Sequence, residues 1–214
     1  MKKLTLVLVL SLTLTSTFAQ NSKYKKAMKE NIDLLYTAKK TSDYQKVANK
    51  FNLIANKETK EWLPLYYESF ARILMSYMEQ DGDKKDAILD EAQKPLDKAL
   101  KIQEKESEIL VLQGMLHQAR ISVSPMARGY KYSSLSNNSL EDAQNIDEEN
   151  PRIYYLAGMN KLNMPSMFGG GKEAALPYFK KGKEKYDKFT ALNDLMPNWG
   201  KTSNEKKLKD CINN

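Results

Sequence analysis

Residues Asn150 to Tyr186, NPRIYYLAGMNKLNMPSMFGGGKEAALPYFKKGKEKY, decide the fold, because they spell one complete helix–turn–helix unit with both ends marked. Pro151 falls where a first helical turn has no intrahelical use for an amide hydrogen, so a helix starts there. Ile153, Leu156, Ala157 and Leu162 follow at helical spacing, with Gly158 as a point of close approach for a second helix. Met164-Pro165 ends the stripe, and Phe168-Gly169-Gly170-Gly171 makes the turn. The second run turns Ala175, Tyr178, Phe179 and Gly182 inward and Lys180, Lys181, Lys183, Glu184 and Lys185 outward. One such pair cannot bury its own apolar faces, so it calls for neighbours of the same kind.

Those neighbours precede it. Tyr24 to Lys40 and Tyr44 to Lys57 read as a first hairpin. Pro64 opens a helix whose Tyr67, Phe70, Ala71, Leu74, Met75 and Met78 supply the centre of the core, and Asp86 to Lys105 returns, with Pro95 inside it. Glu108 to Val123 opens the third pair. Ser124 to Ser139 has little apolar pattern and is expected as a long loop before a short return helix from Leu140 to Asp147. After the 150–186 unit, Pro197 is expected to open a polar last helix that caps the stack, with Trp199 as an anchor. Ala55, Ala99 and Ala143 recur 44 residues apart, and Gly114 and Gly158 each follow one of the last two 15 residues on. Small residues recurring at one spacing imply one helix packing repeated.

Tyr67 with Ala71, Leu110 with Gly114 and Tyr154 with Gly158, then Ala92-Leu96-Ala99 and Ala175-Phe179-Gly182, resemble the two halves of the tetratricopeptide (TPR) repeat. NPRIYYLAG is the segment nearest that consensus. The resemblance covers Tyr24 to Phe189 and implies an all-α fold: a TPR-like α-solenoid of about four stacked antiparallel hairpins with a C-terminal capping helix. The family repeat is about 34 residues long, so roughly ten extra residues per unit must sit in hairpin turns at Asp81–Lys85, Ser124–Asn138 and Pro165–Gly171, or lengthen a helix. HEAT-like pairs, with periods near 40 to 47 residues, are the alternative. The chain is also similar to exported, divergent TPR proteins of double-membraned bacteria.

Met1-Lys2-Lys3, the apolar run Leu4 to Thr15 and Thr17-Phe18-Ala19 make a secretory signal peptide over residues 1–19, leaving 20–214 as one domain. The apolar run is too short to span a bilayer, so no stable membrane span is expected after cleavage, and the mature chain is placed in the periplasm or outside the cell. Cleavage removes two lysines and lowers the formal charge from +7 to +5. The remaining cations are interleaved with carboxylates, which argues for solvated helix faces and against nucleic acid. Cys211 is the only cysteine, so no disulfide scaffold exists within one chain, and it reads as a small apolar residue on the last helix.

Nothing in the sequence assembles a catalytic set, so a non-catalytic protein without cofactor or metal is expected. His117 is the only histidine and reads as a half-buried packing residue. Asp81-Gly82-Asp83 lacks the glutamate that would close a calcium loop and reads as a turn with a helix cap. Gly169-Gly170-Gly171-Lys172 lacks the Ser or Thr and the preceding strand of a phosphate loop.

What the resemblance implies is a groove on the first helix of each hairpin. Carried over position by position, its lining falls on Arg72, Met75 and Ser76, on Val111, Met115 and Gln118, and on Arg152, Tyr155, Met159, Leu162 and Asn163. Met, Tyr and Arg together suit a peptide or protein partner in the cell envelope, and a scaffold role. The alternative is a carrier of a small molecule or glycan, with the Ser124–Asn138 loop and the FGGG turn closing over the ligand through Tyr130, Tyr132 and Phe168.

Overall fold

The structure, a computed structural model, describes residues 22–213. The signal-peptide reading therefore lies outside the described residues. Among those described there are nine α-helices and no strand: α1 (22–37), α2 (Thr41–Lys57), α3 (Leu63–Met78), α4 (Gly82–Ile102), α5 (Ser107–Ile121), α6 (Pro125–Ile146), α7 (Pro151–Asn163), α8 (Lys172–Lys188) and α9 (Lys201–Ile212). A single 3₁₀ turn, Ser166–Phe168, sits in the α7–α8 connection. No helix among the described residues is long and apolar enough to cross a membrane.

The caps explain where the helices start. Asp81 accepts from the Lys84 amide at 3.0 Å, which is the turn-plus-cap role expected of it. Asn150 accepts from the Arg152 amide at 3.1 Å ahead of Pro151. The small residues then set the hairpin distance: a Cβ on Gly114 would stand 3.1 Å from Leu140, and one on Gly158 would stand 2.6 Å from the Phe179 ring. Both glycines thus face the second helix of their own hairpin. The opening helices α3, α5 and α7 touch in turn and form an inner layer. The core runs through it, from Phe51, Tyr66 and Tyr67 to Leu112, Leu116 and Ile153. A smaller cluster of Ala175, Phe179 and Cys211 binds α9 to α8 as a cap, with Cys211 buried in it.

Two expectations are corrected. Ser124–Ser139 is not a loop, since all but its first residue belongs to α6, which has 22 residues. Its polar side chains are satisfied along the helix itself: Ser133 Oγ donates to the Gly129 carbonyl at 2.6 Å and Ser139 Oγ to the Leu135 carbonyl at 3.0 Å. Arg128 fastens its first turn to α4 through two bonds to Asp86, each 2.6 Å. The extra length of the repeat accordingly goes into the returning helices, 21 residues in α4 and 22 in α6, and only the α7–α8 connection keeps a long turn. Pro197, secondly, does not open the last helix, which begins at Lys201 after Gly200 in a left-handed conformation (φ 104°).

Candidate functional site

Residues 189–200, between α8 and α9, cross the inner layer as a strap. Helix α3 holds it with three aromatic side chains: Tyr67 Oη donates to the Leu195 carbonyl at 2.8 Å, Tyr66 Oη accepts from Trp199 Nε1 at 2.9 Å, and Phe70 stacks on Trp199 at 5.2 Å. Tyr186 Oη donates to the Trp199 carbonyl at 3.2 Å. Arg152, at the start of α7, donates from Nη2 to the Pro197 carbonyl and lays its guanidinium over the rings of Phe189 and Trp199, at 4.7 and 5.4 Å.

Arg152 is fully buried, and a buried charge needs a counter-charge. Glu108, at the start of α5, provides it at 2.9 Å. Asn150 completes the arrangement by donating to Ser107 Oγ and to Glu108 Oε1, at 3.2 and 2.9 Å. Burial pushes the Glu108 carboxyl up to about 7 against the pull of Arg152, with Glu106 and Asp147 adding repulsion. Glu108 lies 44 residues before Arg152, one full period, at the corresponding place in the preceding repeat. That spacing is the signal that could have singled it out.

Beside this pair lies a cavity of about 460 Å³, walled on one side by the strap and on the other by the α4–α5 and α6–α7 connections. Ile146, Phe189, Leu192 and Met196 give it an apolar lining. Lys105 and Lys188 stand at it as cations; Lys105 has no ion-pair partner among the described residues, whereas the third lysine, Lys185, is bonded to Glu149. The size falls within the range of small-molecule sites, roughly 300 to 1,000 Å³. Leu192 is 89 % exposed beside it, an apolar side chain left to water.

A second cavity, about 370 Å³, lies between α2, α3 and α4 and is polar. In it Glu68 accepts from Asn52 at 3.1 Å and from Arg72 at 3.0 Å, so that carboxylate is already partnered.

The residues picked for the groove separate. Arg72 belongs to that polar cavity. Met75, Ser76 and Val111 are buried, as is Met115, and Gln118 spans two repeats by donating to the Leu156 carbonyl at 2.8 Å. Met159 and Leu162 pack on the Ala175–Phe179–Cys211 cluster, and Asn163 is exposed at the end of α7. Only Arg152 and Tyr155 come together at the strap, Tyr155 meeting Trp199 edge-on at 6.4 Å. Of the aromatic residues considered for a ligand lid, Tyr130 is 92 % and Phe168 68 % exposed, and Tyr132 lies against His117 at 6.0 Å. Burial, aided by Arg120, depresses the His117 imidazole to about 4, and its Nε2 is 3.1 Å from the Gln113 amide. No group of three or more His, Cys, Asp or Glu among the described residues is arranged to hold a metal ion.

No family model matches the chain, and no curated protein matches it either. Among solved structures it is similar to the HusA haemophore from Porphyromonas gingivalis, with 30 % identity, a TM-score of 0.80, and 88 % of this chain and 92 % of that one covered. It is also similar in fold to a thermophilic TPR protein from Thermus thermophilus, with 13 % identity, a TM-score of 0.56, and 94 % and 96 % covered. The likeness to both extends over nearly the whole of each chain, and the TPR-like helical repeat is the fold of all three.

Proposed function

The chain belongs to the same family as the HusA haemophore, and from that premise we propose that it is an exported, non-catalytic carrier whose cargo is haem or a closely related tetrapyrrole. The observation that carries the proposal is the 30 % identity maintained over 92 % of the haemophore. The strap-walled cavity supports it in chemical terms. A tetrapyrrole of this kind is a flat apolar ring with acid groups along one edge. Ile146, Phe189, Leu192 and Met196 offer apolar surface to such a ring, and Lys105 and Lys188 offer charge to its acids. Haem enters here as cargo, and the histidine that would most readily take its iron, His117, is turned to Gln113 on α5.

A peptide or protein partner along the inner layer, the first expectation from the sequence, ranks lower on one observation. The strap already lies there as an irregular segment, with its Leu195, Pro197 and Trp199 carbonyls each accepting from a side chain of the surrounding helices. A compact cargo beside the strap avoids that competition.

The test is an absorbance titration of the mature chain with haemin. A saturable, one-to-one change in the ring's absorption is expected, and Leu192→Asp with Ile146→Asp should weaken it at least tenfold, about 1.4 kcal/mol or more. Absence of a saturable change in the unaltered chain overturns the proposal.

A further inference from the structure

We infer that residues 189–200 form a lid over the cargo cavity and that Arg152 is its latch, a positioning residue that sets how fast cargo enters and leaves. The inference rests on the carrier reading above and deepens it.

The strap has the construction of a part that moves as a unit. It contains no regular helix or strand. Inside it, the Met196 amide donates to the Asn193 carbonyl at 3.2 Å and the Leu195 amide to Asn193 Oδ1 at 2.9 Å, which fold one local turn. The strap is held down from outside: side chains of three helices act on three of its carbonyls, Tyr67 of α3, Arg152 of α7 and Tyr186 of α8, and Lys29 of α1 meets Asp194 at 3.4 Å. Segments with few backbone bonds of their own open at lower free energy than the helices beneath them. The strap is also the movable wall of the cavity, since Phe189, Leu192, Met196 and Pro197 line it from that side.

Among the anchors, Arg152 spans the whole strap. Its guanidinium meets Phe189 at the beginning, the Pro197 carbonyl in the body and Trp199 near the end, while Glu108 holds it from α5. Tyr67 and Tyr186 each hold a single carbonyl. Loosening Arg152 therefore removes contacts at three places along the strap, whereas losing one tyrosine removes one; the Tyr66 and Phe70 contacts to Trp199 and the Lys29 contact to Asp194 stay in either case.

Two variants test this without leaving an unmatched charge inside the protein. Arg152→Gln with Glu108→Gln removes the ion pair as a whole, and Tyr67→Phe with Tyr186→Phe removes two carbonyl bonds while keeping the rings. The first arm is hydrogen exchange on the chain without cargo. Amides of residues 190–199 should exchange at least tenfold faster in the arginine variant, and less so in the tyrosine variant, with α3 to α6 unchanged. The second arm is stopped-flow mixing with haemin, followed by transfer to an excess of a haem-binding acceptor. A lid that opens more often lets cargo in and out faster, so association and release should both accelerate several-fold.

Faster release with unaltered association would make the strap a fixed wall and overturn the inference while leaving the carrier reading intact. Unchanged exchange in both variants would overturn it as well. If the unaltered chain takes up no haemin, the carrier reading falls, and the exchange arm alone still decides whether Arg152 latches the strap.

Discussion

At the scale of single residues, two buried ionisable groups act in opposite directions. Glu108 binds its proton more tightly in the folded chain, near pH 7, than at the ordinary carboxylate value of 4.5. Its contribution to stability is therefore complete below pH 4.5 and is lost as pH rises through 7. His117 is depressed from 6.5 to about 4, so its contribution is complete above pH 6.5 and is lost as pH falls toward 4. Between these limits the two offset each other, and the native chain should show a shallow pH dependence of its urea midpoint. Glu108→Gln should unmask a loss of stability on acidification below pH 6.5, and His117→Gln a gain on acidification below pH 7. Arg152→Met should cost about 3 to 5 kcal/mol at pH 8, because it leaves Glu108 as a buried anion, and clearly less at pH 5, where Glu108 takes up a proton. Arg152 was legible in the sequence as a residue of interest, but its burial was not, because the groups that enclose it come from 44 residues earlier and 45 residues later.

At the scale of helices, the hairpins were legible because the small residues at the crossings announce a distance. The Phe179 ring fills the place where a side chain at Gly158 would go, with 2.6 Å between a hypothetical Cβ and the ring. Gly158→Val should thus destabilise by about 1 to 3 kcal/mol through overpacking. Phe179→Leu in the same chain should recover part of that loss, a coupling that a double-mutant cycle on urea midpoints would measure. Helix α6 was the failure of this kind of reading. Its first half, PMARGYKYSSL, carries Pro, Gly and two Ser and has no apolar stripe at helical spacing, so it reads as a loop when nothing else holds it. What makes it helical is tertiary: the Arg128–Asp86 bonds at one end and the seating of Leu140 against Gly114 toward the other. Neither contact leaves a mark in local composition. Arg128→Ala should let the first turns of α6 fray, seen as faster amide exchange over residues 125–132 and little change from Ser136 onward.

At the scale of the molecule, a stack of hairpins is nearly one-dimensional, since each unit touches only its neighbours. The strap changes that by joining the last hairpin to the first half of the stack, across sequence separations of 128 residues for Tyr67 with Leu195 and 133 for Tyr66 with Trp199. A chain ended at Lys188 should consequently unfold over a broader urea range than the full chain, when both are followed by circular dichroism. It should also expose Phe70 and Tyr155, which Trp199 now covers. Almost none of this was legible beforehand, because an irregular segment has no period to read and only Trp199 stood out. One consequence follows from where that residue sits. The protein has two tryptophans, and both converge on a single tyrosine: Trp199 donates to Tyr66, and Trp62 meets the same ring edge-on at 5.8 Å. The emission of this molecule thus originates where the irregular segment meets the inner layer, which gives the protein a built-in optical gauge. A lifted segment should shift that emission to longer wavelength, and a light-absorbing guest settled alongside should dim it, so the two events can be told apart by colour against brightness without attaching any dye.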